Sequence, residues 1–170
     1  MLQKALEATR VLRISKITLL GFFGAYAALV AYANLIDPES NLMFIGHVLS
    51  MDTTFQKPAL MGRAFTSPFI YELALWTITL FETLIAILCF VGAWRLLKVL
   101  QSSAEEFHAA KGPGLVGLLL GLAIWFFGFQ VIGGEWFASW QSPQWHGFEP
   151  AGRAMNFLLG SMIFISLKND

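Results

Sequence analysis

Residues 69–94 read FIYELALWTITLFETLIAILCFVGAW, and the reading of this run decides the fold. It is apolar for longer than the roughly 20 residues that a membrane-spanning helix needs. It also carries two carboxylates, Glu72 and Glu82. Glu82 sits near the middle, where an uncompensated carboxylate costs about 2.5 kcal/mol or more on insertion scales. The run is therefore read as a membrane helix whose deep carboxylate has a partner.

Composition agrees with a membrane class. Of 170 residues, 56% are hydrophobic and only 13% are charged, and the mean hydropathy is +0.63. Soluble domains are usually about 25% charged. The formal net charge is zero, so no global electrostatic argument points to nucleic acid. The single cysteine, Cys89, lies inside the apolar run and reads as a small buried residue. No CxxC or CxxCH is present.

Outward from this run, three more spans are expected. Residues 17–36, 69–94, 114–133 and 151–167 are the apolar segments. They predict an all-α polytopic protein, a four-transmembrane-helix bundle forming one membrane domain over residues 1–170. Residues 1–16 carry Lys4, Arg10, Arg13 and Lys16 among apolar residues. They read as a basic amphipathic lead-in to an uncleaved first helix. Asp37-Pro38 ends the first span. In the outer loop 37–68, NLMFIGHVLSM is too short to span and predicts an interfacial or re-entrant helix. Ser67-Pro68 reads as the cap of the second span. Trp94-Arg95 reads as its interfacial anchor. The inner loop 95–113 begins helically and turns at Lys111-Gly112-Pro113. Gly117 and Gly121 form a GxxxG pair in the third span. Outer loop 134–150 holds Trp136, Phe137, Trp140, Trp145 and Phe148, an expected aromatic belt. Lys168-Asn169-Asp170 closes the chain.

Basic residues mark the cytoplasmic side. Lys4, Arg10, Arg13, Lys16, Arg95, Lys98, Lys111 and Lys168 fall on one side, and Lys57, Arg63 and Arg153 on the other. Both termini are thus expected in the cytoplasm, with the two long loops outside.

The polar groups gather at the outer ends. His47, Asp52, Arg63, Glu72, Gln130, Glu135, His146, Arg153 and Asn156 form the candidate cluster. An ion-pair network, with Arg63 and Arg153 serving Glu72 and Glu135, is its simplest consequence. A metal held by His47, Glu72, Glu135 and His146 is the sharper alternative, because imidazoles and carboxylates suit transition metals. The spacing of these four residues matches no HExxH or ExxH pattern. No histidine lies within a span, so bis-histidine haem finds no support.

Glu82 has three readings: hydrogen-bonded to a neighbour such as Tyr26 or Ser161, paired with a cation of another chain, or handling a proton, cation or quinone-like molecule. Glu72, Trp76, Thr79 and Thr83 lie beside it at helical spacing and are expected to face the bundle interior. Nucleophilic catalysis has no GxSxG context. No cofactor is favoured.

Three stretches carry a resemblance: HVLSMDTTF (47–55), ITLFETLIA (78–86) and GEWFASWQSPQWHG (134–147). Through them the chain resembles the bacterial predicted small integral membrane proteins grouped as a family of unknown function. That resemblance implies a multi-pass protein of the bacterial inner membrane. The leading functional expectation is an accessory, assembly or oligomeric subunit of an inner-membrane complex, partnered by the bilayer and by other subunits or copies of itself. An ion-, proton- or small-molecule-binding protein is the second expectation. A metal-, haem- or quinone-binding oxidoreductase component is the third.

Overall fold

A computed structural model describes residues 2–168, with side chains from Glu7 onward. The side chains of Leu2, Lys4 and Leu6 in the basic lead-in, and the closing Asn169-Asp170, lie outside the described residues. Among the described residues every regular element is helical. α1 is Leu2–Ile36, α2 Pro38–Ser50, α3 Pro58–Met61 and α4 Pro68–Lys98. After them come α5 Ala104–Ala109, α6 Gly112–Leu122 and α7 Phe148–Ser166. α6 runs on without a break into a π-helix, Ala123–Trp136, and a single 3-10 turn follows at Ser139–Gln141.

Three helices are long and apolar enough to cross a membrane: Glu7–Ile36, Pro68–Lys98 and Ala104–Trp136. α7 is not among them; its first half carries Glu149, Arg153 and Asn156. The lead-in and the first span form one continuous helix. α1 stops where Asp37 takes the N-cap position of α2 and accepts a hydrogen bond from Ser40 N, with Pro38 in the first turn. The short apolar stretch in the first outer loop is thus a helix, as its length predicted. Ser67 does occupy the N-cap position of α4, but its hydroxyl makes no capping bond. Ser103 and Glu106 form a reciprocal capping box that starts α5.

α1 and α4 form the central pair, with the third helix against α4 and α7 against the third helix. Each central helix buries one line of residues. In α1 it is Leu20, Phe23, Ala27, Ala31 and Asn34; in α4 it is Leu75, Thr79, Glu82, Ile85, Cys89 and Gly92. These three- and four-residue steps are the spacing of one helix face. Glycine permits the closest approach. A Cβ on Gly92 would lie 2.6 Å from the Gly114 backbone, so only hydrogen fits between α4 and α6. The Gly117–Gly121 pair does not serve one partner. Gly117 meets Cys89 of α4, and Gly121 meets Leu158 of α7.

Candidate functional site

The deepest polar contact joins the two central helices. Asn34 Nδ2 donates to Glu82 Oε2 at 2.7 Å, and the two residues are 5% and 2% exposed. The partner of Glu82 is therefore Asn34, and not Tyr26 or Ser161. Tyr26 instead lies against Trp125, with ring centroids 5.4 Å apart. Thr79 and Thr83 donate to the carbonyls one turn back, Leu75 and Thr79, a common way to satisfy a hydroxyl within a helix. The expected interior stripe is only partly interior. Thr79 and Glu82 are buried, whereas Glu72, Trp76 and Thr83 are exposed. The reason is register: the buried line runs through Leu75, Thr79, Glu82 and Ala86, and Glu72, Trp76 and Thr83 fall beside it.

The outer cluster divides into local contacts. His47 Nδ1 donates to Asp52 Oδ2 at 2.7 Å, and its ring stacks on Trp145 at 4.4 Å between centroids. Arg63 donates to Trp136 O at 3.3 Å and lies over the Trp136 ring. Arg153 faces Glu149 at 4.0 Å, both well exposed, where an ion pair contributes little. Gln130 donates to Phe148 O at 3.4 Å. The Phe148 N–H donates to His146 Nδ1, and the two rings stack. Glu72, Glu135 and Asn156 are exposed. Arg63 and Arg153 thus take partners other than Glu72 and Glu135. The first contacts a backbone carbonyl and the second a residue one turn back on its own helix. Among the described residues, no three His, Cys, Asp or Glu side chains are grouped to hold a metal ion.

The aromatic loop is split in the same way. Trp136 and Trp140 point outward, while Phe137 is buried with Met51 and Ala138. Trp145 and Phe148 serve as platforms for the two histidines. Beneath this loop, α2, α4 and the π-helix line an open apolar cavity of about 340 Å³. Its π-helix wall is built from Ile124, Gly128, Phe129, Ile132 and Gly133. Those positions recur at the wider step of a π-helix, whose hydrogen bonds run i→i+5, as in Phe137 N to Ile132 O at 3.0 Å.

The helix ends away from the aromatic loop hold cations whose burial counting charges by side does not reveal. Arg13 donates to Leu100 O at 2.9 Å and Ser102 O at 2.7 Å, above the Phe107 ring. Lys16 and Lys111, 0% and 1% exposed, both donate to Leu167 O, at 2.9 and 2.7 Å. α1, the loop after α4, the start of α6 and the end of α7 are tied together at this level. Lysine interacting with the exposed carbonyls at a helix C-terminus is also favoured by the helix dipole.

A family model described as predicted small integral membrane protein matches residues 12–168. The chain belongs to the DUF2165 family. This family has no assigned function. The three membrane-length helices agree with its description. No curated protein and no solved structure matches the chain.

Sequence reasoning missed three features of this architecture: Asn34 as the partner of Glu82, the buried basic residues and the π-helix. Asn34 carried a signal, as an amide in the last turn of an apolar span. The π-helix had a weaker one, the glycines Gly128, Gly133 and Gly134 amid aromatic residues.

Proposed function

We propose that this protein is a non-catalytic accessory, assembly or oligomeric subunit of a complex in the bacterial inner membrane, with α7 as a fourth span and partner-facing helix. The carrying observation is one face of α7. Gly152, Asn156 and Gly160 follow each other at four-residue steps and so share a face. A Cβ on either glycine would meet nothing within 4 Å, and Asn156 is exposed between them. Asn156 lies about 12 Å along the helix from Phe148, at 1.5 Å per residue. An amide at that depth is unfavourable against lipid and serves as glue against another helix.

The dimensions of α7 support the fourth span. Its 19 residues extend about 28 Å, close to the roughly 30 Å hydrocarbon thickness. Leu167 meets Lys16 and Lys111 at the inner end, and Phe148 meets Gln130 at the outer end. Four spans put both termini on one side, and the Lys and Arg distribution favours the cytoplasm. The spans also bury little of themselves in their own chain. Only 33%, 33% and 22% of the most apolar windows of the three long helices are covered. A groove of about 480 Å³ between α1 and α7, lined by Tyr26, Arg153 and Phe157 among others, adds shape to the α7 side. Glu82, bonded to Asn34 inside the chain, reads as a clasp between helices and not as a carrier.

Purification in mild detergent, with mass measurement and identification of accompanying chains, tests this reading. A particle heavier than one chain is expected, and Asn156→Leu reduces it to the single chain. A wild-type protein that runs only as a monomer overturns the proposal.

A further inference from the structure

We propose that the cavity between α2, α4 and the π-helix is a binding site for a membrane-borne molecule with one long apolar tail ending in a carbonyl oxygen, and that the Ser139 hydroxyl donates to that oxygen. Three observations converge on this. The cavity holds about 340 Å³, at the lower end of small-molecule sites and too small for a two-tailed lipid. Its walls are apolar, with Phe44 from α2, Ala74 and Ile78 from α4, and Ile124 and Phe129 from the π-helix. Leu73 and Ile132, both exposed, edge its mouth. A ligand therefore enters from the bilayer and not from water.

The third observation selects the polar end. Ser139 lines the cavity, is 2% exposed, and its Oγ is buried with no hydrogen-bond partner among the described residues. A buried unpaired hydroxyl costs about 1–3 kcal/mol, so its persistence calls for an explanation. The backbone beside it is also held in an unfavourable conformation. Ala138 has φ 51°, and Met51, packed with it, has φ 56°. Non-glycine residues in this left-handed region cost roughly 1 kcal/mol or more and concentrate at functional sites. The π-helix that forms one wall is a rare conformation, and π-turns within helices are frequent at functional sites. A carbonyl acceptor at the head of the cavity satisfies Ser139. A fatty ester and a ring carbonyl of an isoprenoid quinone share that chemistry.

The test is native mass spectrometry of the full chain in mild detergent, titrated separately with monopalmitoylglycerol and decylubiquinone. One equivalent of at least one probe is expected, and which probe binds identifies the source. Ala74→Phe fills the cavity from α4. Gly133→Leu fills it from the opposite wall, where a Cβ meets only ordinary contacts at 3.5 and 3.9 Å. Each should lower affinity tenfold or more with the helical content intact. Ser139→Ala should lower it about three- to tenfold, the worth of one hydrogen bond. Binding of neither probe overturns the site. So does equal binding to wild type and to whichever filled variant folds. Unchanged affinity in Ser139→Ala overturns the assignment of the hydroxyl.

Discussion

Replacing Asn34 with Leu removes the hydrogen bond that Glu82 accepts from α1 and leaves a carboxyl group that is 2% exposed facing an alkyl chain. Losing one partner of a buried pair costs about 1–3 kcal/mol, because the group left behind has already given up its solvation. Cross-helix hydrogen bonds in membrane proteins average about 0.6 kcal/mol and reach about 1.7. For a 2.7 Å bond between fully covered groups, about 1–2 kcal/mol is expected for Asn34→Leu. Replacing both partners with apolar groups is nearly neutral by the same logic. The Asn34→Leu/Glu82→Leu double variant should therefore be more stable than Asn34→Leu alone, by about 1 kcal/mol. Glu82→Gln keeps an acceptor for the Asn34 amide and should stay within about 0.5 kcal/mol of wild type. Unfolding by sodium dodecyl sulfate in mixed micelles, followed by circular dichroism, measures all four proteins. A double variant no more stable than Asn34→Leu, or an Asn34→Leu protein as stable as wild type, refutes the clasp.

Other substitutions probe the remaining packing. Gly92→Val places a side chain where a Cβ already lies 2.6 Å from Gly114. It should lower stability by about 1–3 kcal/mol or more, seen as a fall in melting temperature; an unchanged melt means the helices are not in that register. Arg13→Met removes two hydrogen bonds to the loop after α4 and should cost about 1–3 kcal/mol. Hydrogen exchange reads the effect at Leu100 to Ser102, and protection there equal to wild type contradicts the inner tie. Fluorescent-protein fusions at either end should both fluoresce in the cytoplasm. A dark C-terminal fusion, active as a phosphatase fusion instead, means that α7 does not cross.

The parts of this fold legible in sequence were those set by local pattern. Apolar run length marked α1, α4 and the third helix, and Pro38 ahead of a short apolar run marked α2. The parts that escaped are set by pairing between distant segments. Asn34 and Glu82 are 48 positions apart, and nothing local tells a carboxylate which of several polar residues shares its depth. Lys16 and Lys111 are visible in sequence only as charges flanking the spans, and their burial depends on the end of α7 coming to them. The pairing of the polar residues was not legible either, since Arg63 contacts Trp136 and Arg153 faces Glu149. The capping box at Ser103 and Glu106 is legible as S-x-x-E. The split of Gly117 and Gly121 between two helices was not readable, because the motif specifies close approach without saying to what.

The central claim is that the Gly152–Asn156–Gly160 face of α7 meets another protein helix within the membrane. Photocrosslinking from position 156 tests it most directly, with p-benzoylphenylalanine in place of Asn156 and, as a comparison, of the exposed Ile87 on α4. Irradiation of intact membranes should give a discrete protein adduct from position 156, stronger than any from position 87. A folded, membrane-inserted protein that forms only lipid adducts at 156 contradicts the account.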